Sequence, residues 1–473
     1  MLGFMSTPEL VVRVQEWLRA HEAEMLADFQ TVLRFPSLEE PALPNAPFGQ
    51  ANRDALDFAL GLAEKAGMST RDMEGYCGYA EFGSGKGMVM TLGHLDVVPV
   101  GPGWKHEPFG AEIDGGYVYA RGASDDKGPT IAMFYAARAL KECWPDVPVR
   151  IRSVFGCNEE SGFECIKHYM KTEEVPTLGV APDAGWPCVH GEKGIADFLI
   201  ARPMPVGDLT VLELSGGQRP NIVIDSFLAR VQVSASFRSA FEMAIEEAWD
   251  KNLSFEWEGD VCSIRGFGKA AHGAYPFGGD SAAIRVLRFL KEAAPLAQER
   301  DFDYMHMLTH IGGNGIGIAG SDEPSGPLTC NCGVVETRGD EVFFTLNVRY
   351  PVTFDGDALR AKCEAFLAEL PGDYRLVSMS DSKPLYFPLD HPLVKTIREV
   401  HEAETGEVSD PKTMGGGTYA RAVPNCVAIG TGWEGDGPAH ETDERMAISS
   451  LNKMAQIYGH LLVRLAQEAE KLA

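Results

Sequence analysis

The stretch GMVMTLGHLD, residues 87–96, decides how the rest of the chain is read. Gly87 to Leu92 form an apolar run without alternation, which suits a strand covered on both faces. The run stops at His94 and Asp96, which point to the same side of an extended segment. Three further runs end in a similar way. VRIRSVF, residues 149–155, stops at Asn158, Glu159 and Glu160; LGVA, residues 178–181, stops at Pro182 and Asp183. CVAI, residues 426–429, closes on a glycine-rich loop and then His440. Between the first two runs, Ile131, Met133, Phe134, Ala137 and Leu140 predict a helix over Pro129–Glu142 that crosses back over a sheet. Strands alternating with helices predict a mostly parallel α/β sheet. In such sheets ligands bind beyond the carboxyl ends of the strands, and here each strand ends in a potential metal ligand.

Working outward, apolar residues at helical spacing predict an amphipathic helix from Pro8 to about Leu33 and another from Ala51 to Ala66, stopped by Gly67. From about Gly191 to Lys383 the texture changes. Strands are expected over Ser226–Phe237, Leu328–Val335, Val342–Tyr350 and Tyr374–Met379, with a hairpin over Ser254–Arg265 turning at Gly259-Asp260. Helices are expected over Phe241–Trp249, Ser281–Ala293 and Ala358–Leu370. The pattern reads as one α+β unit followed by another, an insertion suited to a lid, after which the helix His391–Glu404 resumes the α/β texture. The expected domains are 1–190 (catalytic, first part), 191–384 (inserted lid of two subunits) and 385–473 (catalytic, second part).

The composition narrows the function. The 473 residues carry 45% hydrophobic and 23% charged side chains, as a folded globular protein does. Forty-two Lys and Arg against 68 Asp and Glu leave a net charge of −26, which disfavours nucleic acid and anionic membrane as partners. The first 25 residues lack the basic start and apolar core of a signal peptide, and no apolar run reaches the roughly 18 residues of a membrane span. The ten cysteines have no framework spacing, so they read as reduced thiols of a cytoplasmic protein. Cys330-Asn-Cys332 lacks a second Cys or His pair nearby and reads as part of a strand. The glycine-rich segment Gly312 to Gly317 has no P-loop Lys-Ser/Thr after it and reads as a lid loop.

Five polar clusters then remain: His94 with Asp96, Asp125-Asp126-Lys127-Gly128, Glu159-Glu160, Asp183, and His440. Their imidazoles and carboxylates suit a centre of two divalent cations, with Zn expected and Mn or Co able to replace it. Asp96 is placed to orient the His94 ring, and a carboxylate such as Asp125 offers two oxygens to two cations. Adjacent Glu159 and Glu160 repel unless one binds metal and the other handles the proton of a water.

Taken together, GHLDVVP (93–99), YARG (119–122) through DDKGP (125–129), NEESG (158–162), APDA (181–184), GGGTYAR (415–421) and AHETDE (439–444) resemble the co-catalytic dizinc peptidases, a family that includes aminoacylase, carnosinase and glutamate carboxypeptidase. The likeness is nearest to the bacterial PepV-type dipeptidases and runs in the same order along nearly the whole chain. The resemblance implies a metallopeptidase catalytic domain in which His94 and Asp183 hold one metal, Glu160 and His440 the other, and Asp125 bridges, leaving Asp126 in a variable position. It also implies a cis peptide bond after the bridging residue and Glu159 as general base, with Asp96 supporting. His272, in GKAAHGAYP (268–276), matches the lid histidine that stabilises the tetrahedral intermediate. Arg349 matches the arginine that grips the substrate carboxylate. Asn221 aligns with a lid asparagine, and Gly416, Gly417 and Thr418 with a loop close to the substrate. The implied activity is metal-dependent hydrolysis of dipeptides with a free C-terminal carboxylate, by a cytoplasmic monomer. An N-acyl amino acid amidohydrolase or a carboxypeptidase of the same family is the alternative.

Overall fold

The computed structural model describes residues 6–473, so the first five residues of the stretch read for a leader lie outside the described residues. The chain divides into two compact units, one built from the residues through His190 with Phe387–Lys412 and Gly417–Ala473, the other from Gly191–Tyr386 with Thr413–Gly416.

The core of the first unit is a run of six neighbouring strands of one sheet, ordered Ser69–Met73, Cys77–Gly83, Arg150–Gly156, Met88–His94, Leu178–Ala184, Cys426–Gly430. The last four strands run parallel, and the first two extend the sheet antiparallel. All seven residues of Met88–His94 are buried, the pattern of a central parallel strand. The helix Lys127–Cys143 connects this strand to Arg150–Gly156 and packs on the sheet beside the long C-terminal helix Ile448–Leu472. The helix Gln50–Lys65 covers the antiparallel edge.

The N-terminal segment is not one helix but two, Thr7–Ala20 and Glu22–Leu33. His21 breaks it: its Nδ1 donates to the Trp17 carbonyl at 2.7 Å and its ring stacks on Trp17 at 3.6 Å. The second unit is α+β, with two halves joined edge to edge. Eight of its strands form one antiparallel sheet, ordered Leu253–Glu258, Val261–Phe267, Ser226–Val233, Leu209–Gly216, Thr329–Arg338, Glu341–Tyr350, Gly194–Pro203, Arg375–Ser382. The two halves meet where Leu209–Gly216 pairs with Thr329–Arg338 at Gly216 and Val335. Helices Ala282–Ala293 and Gly356–Ala368 pack on its strands over one continuous apolar core.

All ten cysteines are buried and none forms a disulfide. Among the described residues no helix is long and apolar enough to cross a membrane.

Gly93, just before His94, has no room for a side chain, because a Cβ there would lie 2.1 Å from the Thr130 hydroxyl. Thr130 cannot yield easily, since it donates to Asp126 at 2.8 Å. Gly61, inside the helix Gln50–Lys65, has nothing within 4 Å of the same position. In urea melts Gly93→Ala is expected to lose about 1–3 kcal/mol by overpacking. Gly61→Ala is expected to gain up to about 1 kcal/mol from helix propensity. Equal effects at the two sites would refute the packing account.

Candidate metal centre

Five loops of the first unit converge beyond the carboxyl ends of its strands. His94 closes its strand and is 1% exposed. Its Nδ1 donates to the main-chain oxygen of Asp96 at 3.0 Å, which turns Nε2 towards Asp125. Nε2 lies 3.1 Å from Asp125 Oδ1. The other oxygen of Asp125, Oδ2, lies 3.1 Å from His440 Nε2, so one carboxylate faces both imidazoles. His440 Nε2 is also 3.0 Å from Glu160 Oε1. His94, Glu159 and Asp183 form a second group, with ligand atoms all within 4.8 Å of one another, as are those of His94, Asp125 and Glu160. No other cluster of this kind occurs among the described residues.

The role expected of Asp96 changes in detail. Its carboxylate is 3.6 Å from the His94 ring, and the ring is held chiefly by the Asp96 carbonyl. The two carboxylate oxygens instead accept the amides of Glu159 and Glu160, each at 3.0 Å, and so fix the loop carrying both glutamates. Asp126, assigned to a variable position, is fully buried. It follows a cis Asp125–Asp126 bond, and its Oδ2 accepts the His94 amide at 3.1 Å. The second residue that sequence reasoning left without a role is Glu444, which is also fully buried and hydrogen-bonded to the loop that carries Asp125.

The electrostatics are those of crowded carboxylates. Burial pushes Glu159 up to about 8, helped by repulsion from Glu160, Asp96 and Asp125. Burial likewise lifts Asp183 well above the carboxylate range, with Asp125 and Glu159 adding to it. Burial opposes the charged form of Asp125, but hydrogen bonds from His440 and His94 hold it below its usual value. Asp125 and Glu160 in turn raise His440 to about 10. Desolvation disfavours protonated His94, yet Asp125 and Asp96 raise it well above the ordinary histidine value. Desolvation lifts Glu444 above the usual range, and hydrogen bonds from Arg121, Ser124 and Gly122 pull it back. A cluster that recruits protons in this way to balance its charge fits two divalent cations, which supply the same positive charge without protons.

The lid residues collect within the second unit. The Asn221 carbonyl accepts the Gly273 amide at 2.7 Å, and Ile222 bridges His272. His272 Nδ1 accepts the Ala274 amide at 3.2 Å, which puts the proton of the neutral ring on Nε2. Burial and then the Arg349 charge lower its pKa, which favours the neutral ring. Arg349 is 5% exposed and bonds Asn347 Oδ1 at 3.0 Å and the Gly415 carbonyl at 2.9 Å. Gly416 belongs to this unit, whereas Gly417 and Thr418 belong to the first, where Thr418 Oγ1 accepts the Ala420 amide at 3.1 Å. Cys330 and Cys332 are buried strand residues outside both metal-type clusters.

Known proteins share this architecture. YtjP of Bacillus subtilis (strain 168), a proposed dipeptidase, is 35% identical over 461 residues, covering 94% of this chain and 97% of its own. A proposed dipeptidase of Staphylococcus epidermidis (strain ATCC 12228 / FDA PCI 1200) is 31% identical over 468 residues, covering 96% and 99%. Among solved structures, human carnosine dipeptidase 1 has a TM-score of 0.52 at 16% identity, covering 97% of this chain and 100% of its own. The aminoacylhistidine dipeptidase of Vibrio alginolyticus has a TM-score of 0.56 at 12% identity, covering 94% and 96%; at such identities these two likenesses concern the fold. The sequence profile of Peptidase family M20/M25/M40 matches residues 90–464, from the strand that carries His94 into the C-terminal helix. With that span and relatives above 30% identity along nearly its whole length, the chain belongs to peptidase family M20/M25/M40.

Proposed function

We propose that the chain is a metal-dependent dipeptidase that hydrolyses the peptide bond of short substrates with a free C-terminal carboxylate. The observation that carries this reading is Asp125, whose two oxygens each lie 3.1 Å from a different histidine, next to a glutamate that burial holds near 8. The relatives described as proposed dipeptidases support the substrate class. His94 and Asp183 would hold one cation, Glu160 and His440 the other, with Asp125 between them; Zn is the preferred ion, Mn or Co its substitutes. When bound, the cations polarise the scissile carbonyl and acidify water.

The chain's own residues do the rest. Glu159, held in place through its amide by Asp96, takes the proton of the attacking water and delivers it to the leaving amine. In the unit spanning 191–384, read as a lid on the domains 1–190 and 385–473, neutral His272 offers its Nε2–H to the developing oxyanion. The Arg349 guanidinium binds the substrate carboxylate, and Asn221, Gly416, Gly417 and Thr418 line the substrate. Ten buried cysteines without a disulfide support a cytoplasmic setting. Arg349 on a sheet strand and His272 on a loop of the same unit of one chain support a monomer.

Glu159→Ala is expected to lower kcat for dipeptides by about 10²–10⁴-fold, with metal content still near two per chain; retained hydrolysis would remove Glu159 from the base role. A panel pairing free-amine dipeptides with N-acyl amino acids tests the substrate class, and preference for the latter would favour an amidohydrolase. Arg349→Met is expected to cut kcat/KM for dipeptides by about 10- to 100-fold while leaving dipeptide amides unchanged. Equal losses on both substrates would mean that Arg349 does not read the carboxylate.

Metal uptake should also release protons. At pH 7, below the value of about 10 for His440 and about 8 for Glu159, the chelated chain carries both protons, and ligation requires His440 neutral. Zn²⁺ added at pH 7 in weak buffer with an indicator dye is therefore expected to liberate protons, and the release should shrink as pH rises through His440's value. Uptake without acidification would contradict the proposed ligand set.

A further inference from the structure

Glu444 is fully buried and four residues beyond His440. Its Oε1 accepts three donors: the Ser124 amide at 2.9 Å, the Ser124 hydroxyl at 3.0 Å and the Asp125 amide at 3.1 Å. Its Oε2 accepts Arg121 Nη1 at 2.7 Å and the Gly122 amide at 3.1 Å. A carboxylate has about four lone-pair directions, so its accepting capacity is filled by this one loop. Arg121, 1% exposed, returns the link by donating to the Glu441 carbonyl at 3.0 Å and the Pro99 carbonyl at 3.2 Å. One buried ion pair thus ties together the segment after Asp96, the loop ending in Asp125 and the loop leaving His440.

We propose that Glu444 is a positioning residue for the metal centre: by holding the main chain of Asp125 against the His440 loop, it sets the geometry at which these two side chains face the cations. The proposal rests on the reading of Asp125 and His440 as ligands. It makes Glu444 a determinant of metal affinity although its carboxylate is fully engaged with other donors. Glutamine has the right size but can present an acceptor to only one of the two donor groups, so its NH₂ must point at N–H donors.

The test uses the full chain, stripped with chelator and titrated with Co²⁺, reading the dissociation constant and the visible ligand-field band. Glu444→Gln is expected to bind Co²⁺ about 10- to 100-fold more weakly with a changed band, while the circular dichroism of the stripped protein stays that of the wild type. Because breaking a buried ion pair can unfold a protein, Ser124→Ala is the second variant. It removes one of the five donors, leaves the ion pair intact, and should weaken Co²⁺ binding in the same direction by a smaller factor without moving the melting temperature. Asp443→Ala is the loop control, since that carboxylate accepts the amides of Lys105 and His106 instead, and it should leave the band unchanged. Wild-type affinity and band in both Glu444→Gln and Ser124→Ala would overturn the proposal, as would an equal change in Asp443→Ala. A wild-type chain that takes up no Co²⁺ would overturn the ligand reading and the proposal with it.

Discussion

Like charge held at close range is the constraint on which the first unit is built. Asp125, Glu159, Glu160 and Asp183 meet at the ends of buried strands. Two carboxylates about 5 Å apart at an effective dielectric of 20 repel by about 3 kcal/mol, more than one ordinary hydrogen bond returns. The surrounding main chain is organised around this repulsion. Two amides are spent on Asp96 to hold the glutamate loop, another on Asp126 to hold the end of the His94 strand, and three on Glu444 to hold the loop before Asp126.

The parallel sheet makes that organisation possible. In parallel strands successive carboxyl ends fall at one edge, so residues far apart in sequence are delivered to one place by topology. Met88–His94 pairs with Arg150–Gly156 in register from Met88 and Arg150 through His94 and Gly156, and the Leu95 amide carries the pairing one step further by donating to Gly156 at 2.9 Å. The helix that starts at Lys127 begins directly after Asp126, so its positive N-terminal end adds to the offsetting charge. Gly93 lets that helix approach the strand at the point where His94 emerges.

What could be read from the sequence was what is written locally. A buried run followed by a polar residue is a one-dimensional signal, and it located His94, Glu159, Glu160 and Asp183 at strand ends. Contacts across long stretches of chain leave no such signal. Nothing next to Glu444 announces that its partners lie at 121–125, and nothing next to Asp126 announces that its carboxylate accepts the His94 amide. The insertion reads as two α+β pieces because each has its own run of strands and helices, and the structure joins these halves in one sheet. The strand Gly194–Pro203, which lies between Glu341–Tyr350 and Arg375–Ser382, becomes visible only when the sheet is assembled. His21 ends a helix through a ring stack and a side-chain hydrogen bond, which apolar spacing does not encode.

The buried cysteines have a consequence for metal selectivity. Soft ions favour thiolate over imidazole or carboxylate, and it is the thiolate, not the thiol, that binds them. Desolvation pushes Cys165, Cys188 and Cys330 up to about 12, and Cys157 well above the usual thiol value. In the folded protein these sulfurs are therefore un-ionised and enclosed, including Cys165 and Cys157 close behind the glutamate loop. Among the described residues the imidazoles and carboxylates around Asp125 are then the one metal-type cluster, and burial keeps these thiols from competing with it for a divalent ion.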